Sequence, residues 1–419
     1  MTLVERPDGP LLAYYYHPRS FATLSLTRAL RGRATPLWLV DSTHPDTGSM
    51  TRLLARSGPV VDLAGLDVEA ASTLVEQYRP DGILTLADTY LVRTADLARR
   101  LGLPFHSPDV ARTLTDKLRQ RAAFEAAGLA VPRRCVIDTR NLDESDLARV
   151  GFPAVVKPRV GEASRFTEPV SSVDELRGRL EQFSAEGASG EFVLESYIPD
   201  ASADRAGKGF AGYVSVESVV VDGSPCHIAV TGRTPPAWPF RETGFFIPAE
   251  LSDEDERAVL DAAGRAIRAI GVDRACTHTE VKLTPSGPVV IEVNGRIGGG
   301  VPEMVERALR RDYLGAAMEL ALGVNPALME MASPEGLAYL LYVHAPQDVQ
   351  LLAGVEGLDD LGAVDGVGQI MLNRSLGDVL HWSDGNHGHV YSVAGSTDSH
   401  DGLRRILKAV DELVTIVGG

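Results

Sequence analysis

The chain has 419 residues, 44% hydrophobic and 23% charged, with 41 Gly and 25 Pro. That composition excludes wholesale disorder and fibrous structure, and the length suits roughly two to four packed subdomains. With 57 acidic against 41 basic side chains the formal charge is −16, which repels DNA or RNA as a bulk partner and still permits a single nucleotide. Cys135, Cys226 and Cys276 are scattered, odd in number and without C-x-x-C spacing, as expected in a reducing cytoplasm. The start MTLVERPDG has acid and proline where a signal peptide needs basic and apolar runs, and no segment is apolar over a membrane span. A cytoplasmic protein with neither membrane nor nucleic-acid partners is expected.

Residues 1–112 alternate short apolar runs with amphipathic stretches: LLAYYYH, PLWLVD, VVDLAG and GILTLAD, each followed by a helix-length segment. This alternation predicts an open parallel α/β domain, with the tyrosines at 14–16 as core plus edge of its first strand. A single helix over DVARTLTDKLRQRAAFEAAG, with Asp109 as its cap, leads into residues 113–205. There FPAVVKP, SVDELRGRLEQFSA and FVLESYI give the strand, helix, strand order of a small α+β subdomain. PDASADRAGKGFAG, 199–212, reads as a mobile or inserted loop. In a central subdomain over 206–330, strands dominate 213–300 around one clear helix, DEDERAVLDAAGRAIRAIG, with helical material to about 330, and 331–419 mixes strands with a final helix as a small α+β subdomain.

The chemistry concentrates in HTEVKLTPSGPVVIEVNGRIGGG, 278–300. Two strand-like runs flank the turn material TPSGP, which predicts a hairpin. Centred on Ser286, it sets Glu280 opposite Glu292 and places Asn294 on the face of Glu292. Opposed carboxylates repel unless a cation sits between them. Oxygen-only ligands suit Mg²⁺ (or Mn²⁺), which commonly bridges protein oxygens to nucleotide phosphates. The alternative is an exposed strand face with Lys282 neutralising the acids. In the following GRIGGG, backbone N–H groups can approach an anion closely beside the planar cation of Arg296. Upstream, the strand FPAVVKP delivers Lys157 to a small-residue loop containing Ser164, an arrangement able to hold polyphosphate. The phosphate-loop pattern G-x-x-x-x-G-K-[ST] does not occur.

Taken in order, DKLRQRAAFEAAGLAVP, FPAVVKP, FVLESYI, YVSVESVVVDG and EVKLTPSGPVVIEVNGRIGGG resemble the ATP-grasp superfamily, most closely its carboxylate–amine ligases of the L-amino-acid ligase (dipeptide synthetase) type. The resemblance implies an ATP-grasp fold of mixed α/β and α+β class: an N-terminal open parallel α/β domain, two α+β subdomains clamping ATP, and a small C-terminal α+β subdomain. It also implies an enzyme that makes an acyl phosphate from a carboxylate and ATP and lets an amine displace phosphate. Carried over residue by residue, Lys117 and Lys157 resemble the lysines on the ATP phosphates. Glu195, Ser196, Tyr197 and Ile198 resemble the hinge that reads adenine. Glu280, Glu292 and Asn294 resemble the Mg²⁺ ligands, and Arg296 resembles the arginine that steadies the acyl phosphate, with Gly298 and Gly299 beside it. The loop VGEASR carries Glu162 and Arg165 where superfamily members usually have Gly and Ser. No acid stands at the place expected for ribose recognition, and Glu217 lies nearby in sequence.

Arg233, Trp238, Arg241 and Glu242, in the Pro-rich stretch VTGRTPPAWPFRETGFFIPAEL, resemble the substrate-pocket wall of the amino-acid ligases, with a salt-bridged surface loop as the alternative. His278 shares the face of Glu280 and is a candidate substrate contact or base, with a structural strand histidine as the alternative. His387 and His389 lack a third ligand nearby and are expected to face solvent. A ligase acting on small molecules as a homodimer, with dipeptide biosynthesis as its setting, is the leading expectation. An ATP-grasp carboxylase activating bicarbonate and a catalytically silent nucleotide-binding regulator are the competing ones.

Overall fold

The computed structural model describes residues 8–137, 142–188, 190–200, 205–327 and 331–419, without the side chains of 382–384. Strands β1 (Leu11–Tyr15), β2 (Thr35–Val40), β3 (Val60–Asp62) and β4 (Gly82–Leu84) form a parallel sheet in the order β3-β2-β1-β4. Short apolar strands joined by helical crossovers produce this arrangement because each crossover returns the chain to the same sheet edge direction. β1 lies inside the sheet, so Tyr14, Tyr15 and Tyr16 are all core and none is an edge residue.

The predicted single helix over 109–128 is two helices, Pro108–Thr115 and Lys117–Ala126. Their caps are Ser107 and Asp116, not Asp109. The Asp116 carboxylate accepts the amides of Leu118 and Arg119 and also binds Arg159 at 2.7 Å, which fixes the break.

Strands β5 (Arg134–Ile137), β6 (Ala154–Pro158), β7 (Glu168–Val170) and β8 (Phe192–Ser196) form a second, antiparallel sheet in the order β5-β8-β6-β7. Ten more follow: β9 (Tyr213–Val221), β10 (Ser224–Arg233), β11 (Gly244–Ile247), β12 (Ala275–Thr284), β13 (Gly287–Asn294), β14 (Leu337–His344), β15 (Leu352–Glu356), β16 (Val367–Leu372), β17 (His389–Thr397) and β18 (Thr415–Gly418). Eight of them make one sheet, β13-β12-β9-β10-β11-β14-β17-β16, and β15 pairs with β18. The strands on either side of residue 330 therefore share a sheet, β11 pairing with β14. The helix Asp253–Ile270, capped by Ser252 and closed by left-handed Gly271, covers this sheet with Val259, Ala263 and Ile267. Phe210 and Ala211, at the end of the segment read as mobile, are buried, with Phe210 against Phe246; residues 201–204 of that segment lie outside the described residues.

Candidate active site

The parallel domain, the second sheet and the large sheet converge on one cavity of about 1070 Å³. β12 and β13 supply its acidic floor. Their turn is tight, pairing Thr284 with Gly287, and on that register Glu280 would face Ile291. A bulge restores the pairing: Val281 stands opposite Val290, Glu280 opposite Glu292 and His278 opposite Asn294. The expected Glu280–Glu292 opposition is present, with a bulge rather than a turn centred on Ser286 as its cause. The extra residue shifts the side-chain alternation so that both acids share one face.

Lys282 does not neutralise these acids; its ammonium lies 2.5 Å from Asp200. Glu280 is instead flanked by His278 Nε2 at 3.7 Å and Arg233 at 3.9 Å. Burial opposes its charge, but His278 and Arg233 hold it down at about 2. Asn294 donates Nδ2 to the His278 carbonyl at 3.3 Å. Among the described residues no group of three or more His, Cys, Asp or Glu is arranged for a metal. The candidate set is therefore two carboxylates and an amide, all oxygen donors. This fits Mg²⁺, which keeps water or phosphate oxygens as its remaining ligands instead of taking an all-protein cage.

Arg296 follows β13 and reaches across to the parallel domain, where Asp88 accepts from Nε at 2.9 Å and Nη2 at 2.5 Å. Gly298 and Gly299 line the cavity beside it. A Cβ on Gly298 would stand 2.5 Å from His278 Nδ1, so the chain passes there only as glycine.

On the opposite wall, Lys157 is buried at the end of β6, 2.7 Å from Glu195. Glu195 also binds Arg121 at 2.8 Å. Burial raises the cost of its charge, yet Arg121 and Lys157 hold it down at about 2. Burial, reinforced by Arg121 and Lys117, lowers Lys157. The Glu195 side chain thus orients Lys157. Ser196, Tyr197 and Ile198 line the cavity, and Tyr197 N–H donates to Pro153 O at 3.0 Å. Lys117 binds the carbonyl of Gly161 at 3.0 Å, tethering the loop that carries Ser164. Within that loop Ala163 and Ser164 hold φ of 57° and 55°. Such left-handed backbone costs a residue with a side chain about 1 kcal/mol or more unless its surroundings fix it. Thr89, donating to Glu162 at 3.0 Å, and Asn386, whose amide donates to Ala163 O at 3.1 Å, supply that fixing.

Three expectations for the substrate wall change, and Arg241 is one of them, since it faces away from this cavity. Arg233 is 1% exposed and lies beneath the cavity, pairing with Glu242 and donating to Ser215 at 3.1 Å, because β10 turns it inward. Trp238 sits on the outer side of its loop, over Arg179, and does not line the cavity. Glu242 does line it, bonded to Asn386; burial, with the charge of Glu280, pushes its carboxyl up. His387 and His389 line the cavity too and do not simply face solvent, since Asn386 draws their loop onto Glu242. His278 also lines it. Its Nδ1 is 2.9 Å from both oxygens of Glu217. Glu217 is therefore a buried partner of His278 and no ribose ligand. Arg233 Nη2, 3.0 Å from Nε2, favours a neutral ring; burial does too, but the two flanking carboxylates outweigh them and hold His278 up at about 9.

Asp88, Arg121 and Asn386 escaped the sequence reading, which weighed Glu217 for ribose and not as the partner of His278. Asp88 had a signal, standing just beyond a parallel strand where open α/β sheets present ligand-binding groups. Arg121 is one helical turn from Lys117 and shares its face. For Glu217 and Asn386 no local pattern exists.

Residues 150–303 match the ATP-grasp domain family, ATP-grasp_4. An uncharacterized protein, y4rH, of Sinorhizobium fredii is 28% identical over 366 residues, 84% of this chain and 72% of that protein. Alanine–anticapsin ligase of Bacillus subtilis is 27% identical over 244 residues, 55% of this chain, and the match spans about half (52%) of that ligase. The crystal structure of an L-amino acid ligase from Bacillus licheniformis superposes with a TM-score of 0.77 at 21% identity, covering 99% of this chain and 100% of that one, which shows the shared fold. Residues 150–303 thus carry an ATP-grasp domain, and the chain is similar in sequence to an alanine–anticapsin ligase and in fold to an L-amino acid ligase.

Proposed function

We propose that the protein joins the carboxylate of one amino acid to the amine of a second amino acid or other amine, through an acyl phosphate, with release of ADP and phosphate. The observation that carries this reading is the convergence of Glu280 and Glu292, Lys157 and Arg296 on a single cavity. Glu280, Glu292 and Asn294 are the residues to hold Mg²⁺, which when bound neutralises charge on the nucleotide phosphates.

Lys157, aimed by Glu195, and Lys117 offer ammonium groups to the phosphates, while Ser196 to Ile198 border the adenine end. Arg296, immobilised by Asp88, presents a fixed guanidinium to the charge that grows on the transferring phosphoryl group and on the tetrahedral intermediate. The backbone of Gly298 and Gly299 adds to this. Carboxylate attack on the γ-phosphorus breaks its bond to the β–γ bridging oxygen and releases ADP. The amine then adds to the acyl carbon, gives up a proton, and expels phosphate. The loop 160–166, latched on Thr89 and Asn386, shields the mixed anhydride from water.

A coupled ADP-release assay across pairs of amino acids tests the reading, with phosphorus NMR of the completed mixture. Amino-acid-dependent ADP and orthophosphate are expected. Pyrophosphate in step with product would replace the acyl phosphate by an adenylate. ADP release that answers to bicarbonate and to no amino acid would make the protein a carboxylase.

A further inference from the structure

The Pro-rich loop has two sides. Pro235, Pro236, Phe240 and Glu242 line the active-site cavity, whereas Trp238 and Arg241 line a second, open cavity of about 370 Å³ behind it, bordered by His344 and by Leu407 and Val410 of the helix His400–Leu413. Two polar groups at this second cavity are incompletely used. Arg241 is 5% exposed and spends Nε on the Trp238 carbonyl at 2.9 Å. No carboxylate among the described residues comes within ion-pair distance of its guanidinium; Asp411, at the exposed rim, makes no such pair, and burial alone lowers Arg241. A guanidinium withdrawn from water without an anion is costly and is a ready carboxylate receptor. His344 donates Nε2–H to the Glu242 carbonyl at 2.8 Å, which leaves Nδ1 as an acceptor, and Nδ1 is buried with no partner among the described residues. Burial holds this ring neutral, its pKa down at about 4.

We propose that this second cavity is an effector site for a free apolar amino acid. The carboxylate pairs with Arg241, the ammonium donates to His344 Nδ1, and the side chain packs on Leu407 and Val410. Both receptors adjoin Glu242, Arg241 by the chain and His344 by its hydrogen bond. Occupancy is thereby felt at the active-site face of the same loop.

Trp238 at the wall is the reporter. The nucleotide-free full chain is titrated with L-leucine while tryptophan emission is followed, with Trp238→Phe assigning the signal. A saturable change is expected in wild type. Arg241→Gln and, as a variant that fills the space without removing the cation, Leu407→Phe should each weaken it about tenfold or more, the worth of one charge-assisted contact. Leucinamide, without the carboxylate, and 4-methylpentanoate, without the ammonium, should both bind correspondingly less well. No saturable change overturns the proposal. So does a change that survives both variants, because the amino acid is then in the active-site cavity, and so does equal binding of either analogue. None of these readings depends on ATP turnover, so failure here leaves the ligase assignment standing, and the ADP-release assay tests that separately.

Discussion

Glu217 and His278 face each other across neighbouring strands β9 and β12, with both carboxylate oxygens 2.9 Å from Nδ1, and between them they carry the buried charge beneath the Glu280 floor. Because the folded pKa of His278 is raised to about 9 from an ordinary value near 6.5, its stabilising contribution is complete below pH 6.5 and is lost as pH rises through 9. The unfolding temperature of the wild type should therefore fall between pH 7 and 9 more steeply than that of Glu217→Gln, in which Glu280 alone favours the charged ring. Parallel curves would remove the pair from any such role. NMR titration of the His278 ring checks the same point directly.

Glu292→Gln should fold normally and lose activity on the order of a hundredfold or more, since one missing oxygen ligand weakens the metal and the phosphates it holds together. Chelation by EDTA should abolish ADP release in the wild type, and added Mg²⁺ should restore it there and only weakly in the variant. Wild-type turnover by a folded Glu292→Gln protein would end the metal assignment.

Arg296 and Asp88 make a graded pair of variants. Arg296→Ala removes a preorganised charge aimed at the transition state, a loss of about 3 kcal/mol or roughly a hundredfold in kcat, with little change in calorimetric binding of a non-hydrolysable ATP analogue. Asp88→Asn keeps the guanidinium and frees its orientation, so its kcat should lie between wild type and Arg296→Ala. Loss of analogue binding with kcat intact would make Arg296 a ground-state nucleotide contact.

Arg121→Met strands the buried Glu195 with Lys157 as its one cation, and removing one member of such a buried cluster costs about 3–5 kcal/mol. Urea unfolding measures this, and a change under about 1 kcal/mol would show that Arg121 is dispensable. The wild-type Glu195 pKa, held at about 2 against an ordinary value near 4.3, gives stability that is present above pH 4.3 and disappears as pH falls toward 2. In Arg121→Met that acid-side loss should begin at higher pH.

Local chemistry was enough to read the parallel domain, the Lys157 strand and the hairpin that opposes Glu280 and Glu292. Alternating apolar runs force βαβ units, a period of two puts Glu292 and Asn294 on one face, and TPSGP turns the chain back on itself. The same local reading mistook the Asp116 break for continuous helix, because the carboxylate that caps the second helix is held by Arg159, 43 residues away. It also centred the hairpin on Ser286, where a bulge at Ile291 sets the register instead. What only tertiary structure decided is which charges meet. Asp88 reaches Arg296 over 208 positions, and Glu162 latches onto Thr89 over 73. Arg233 is drawn under the floor by Glu242 and Ser215, and Lys282 is taken from Glu280 and Glu292 by Asp200. Periodicity fixes the face on which a side chain stands within its own element, but the partner a buried charge finds depends on how separate elements dock, and burial leaves each such charge dependent on that partner.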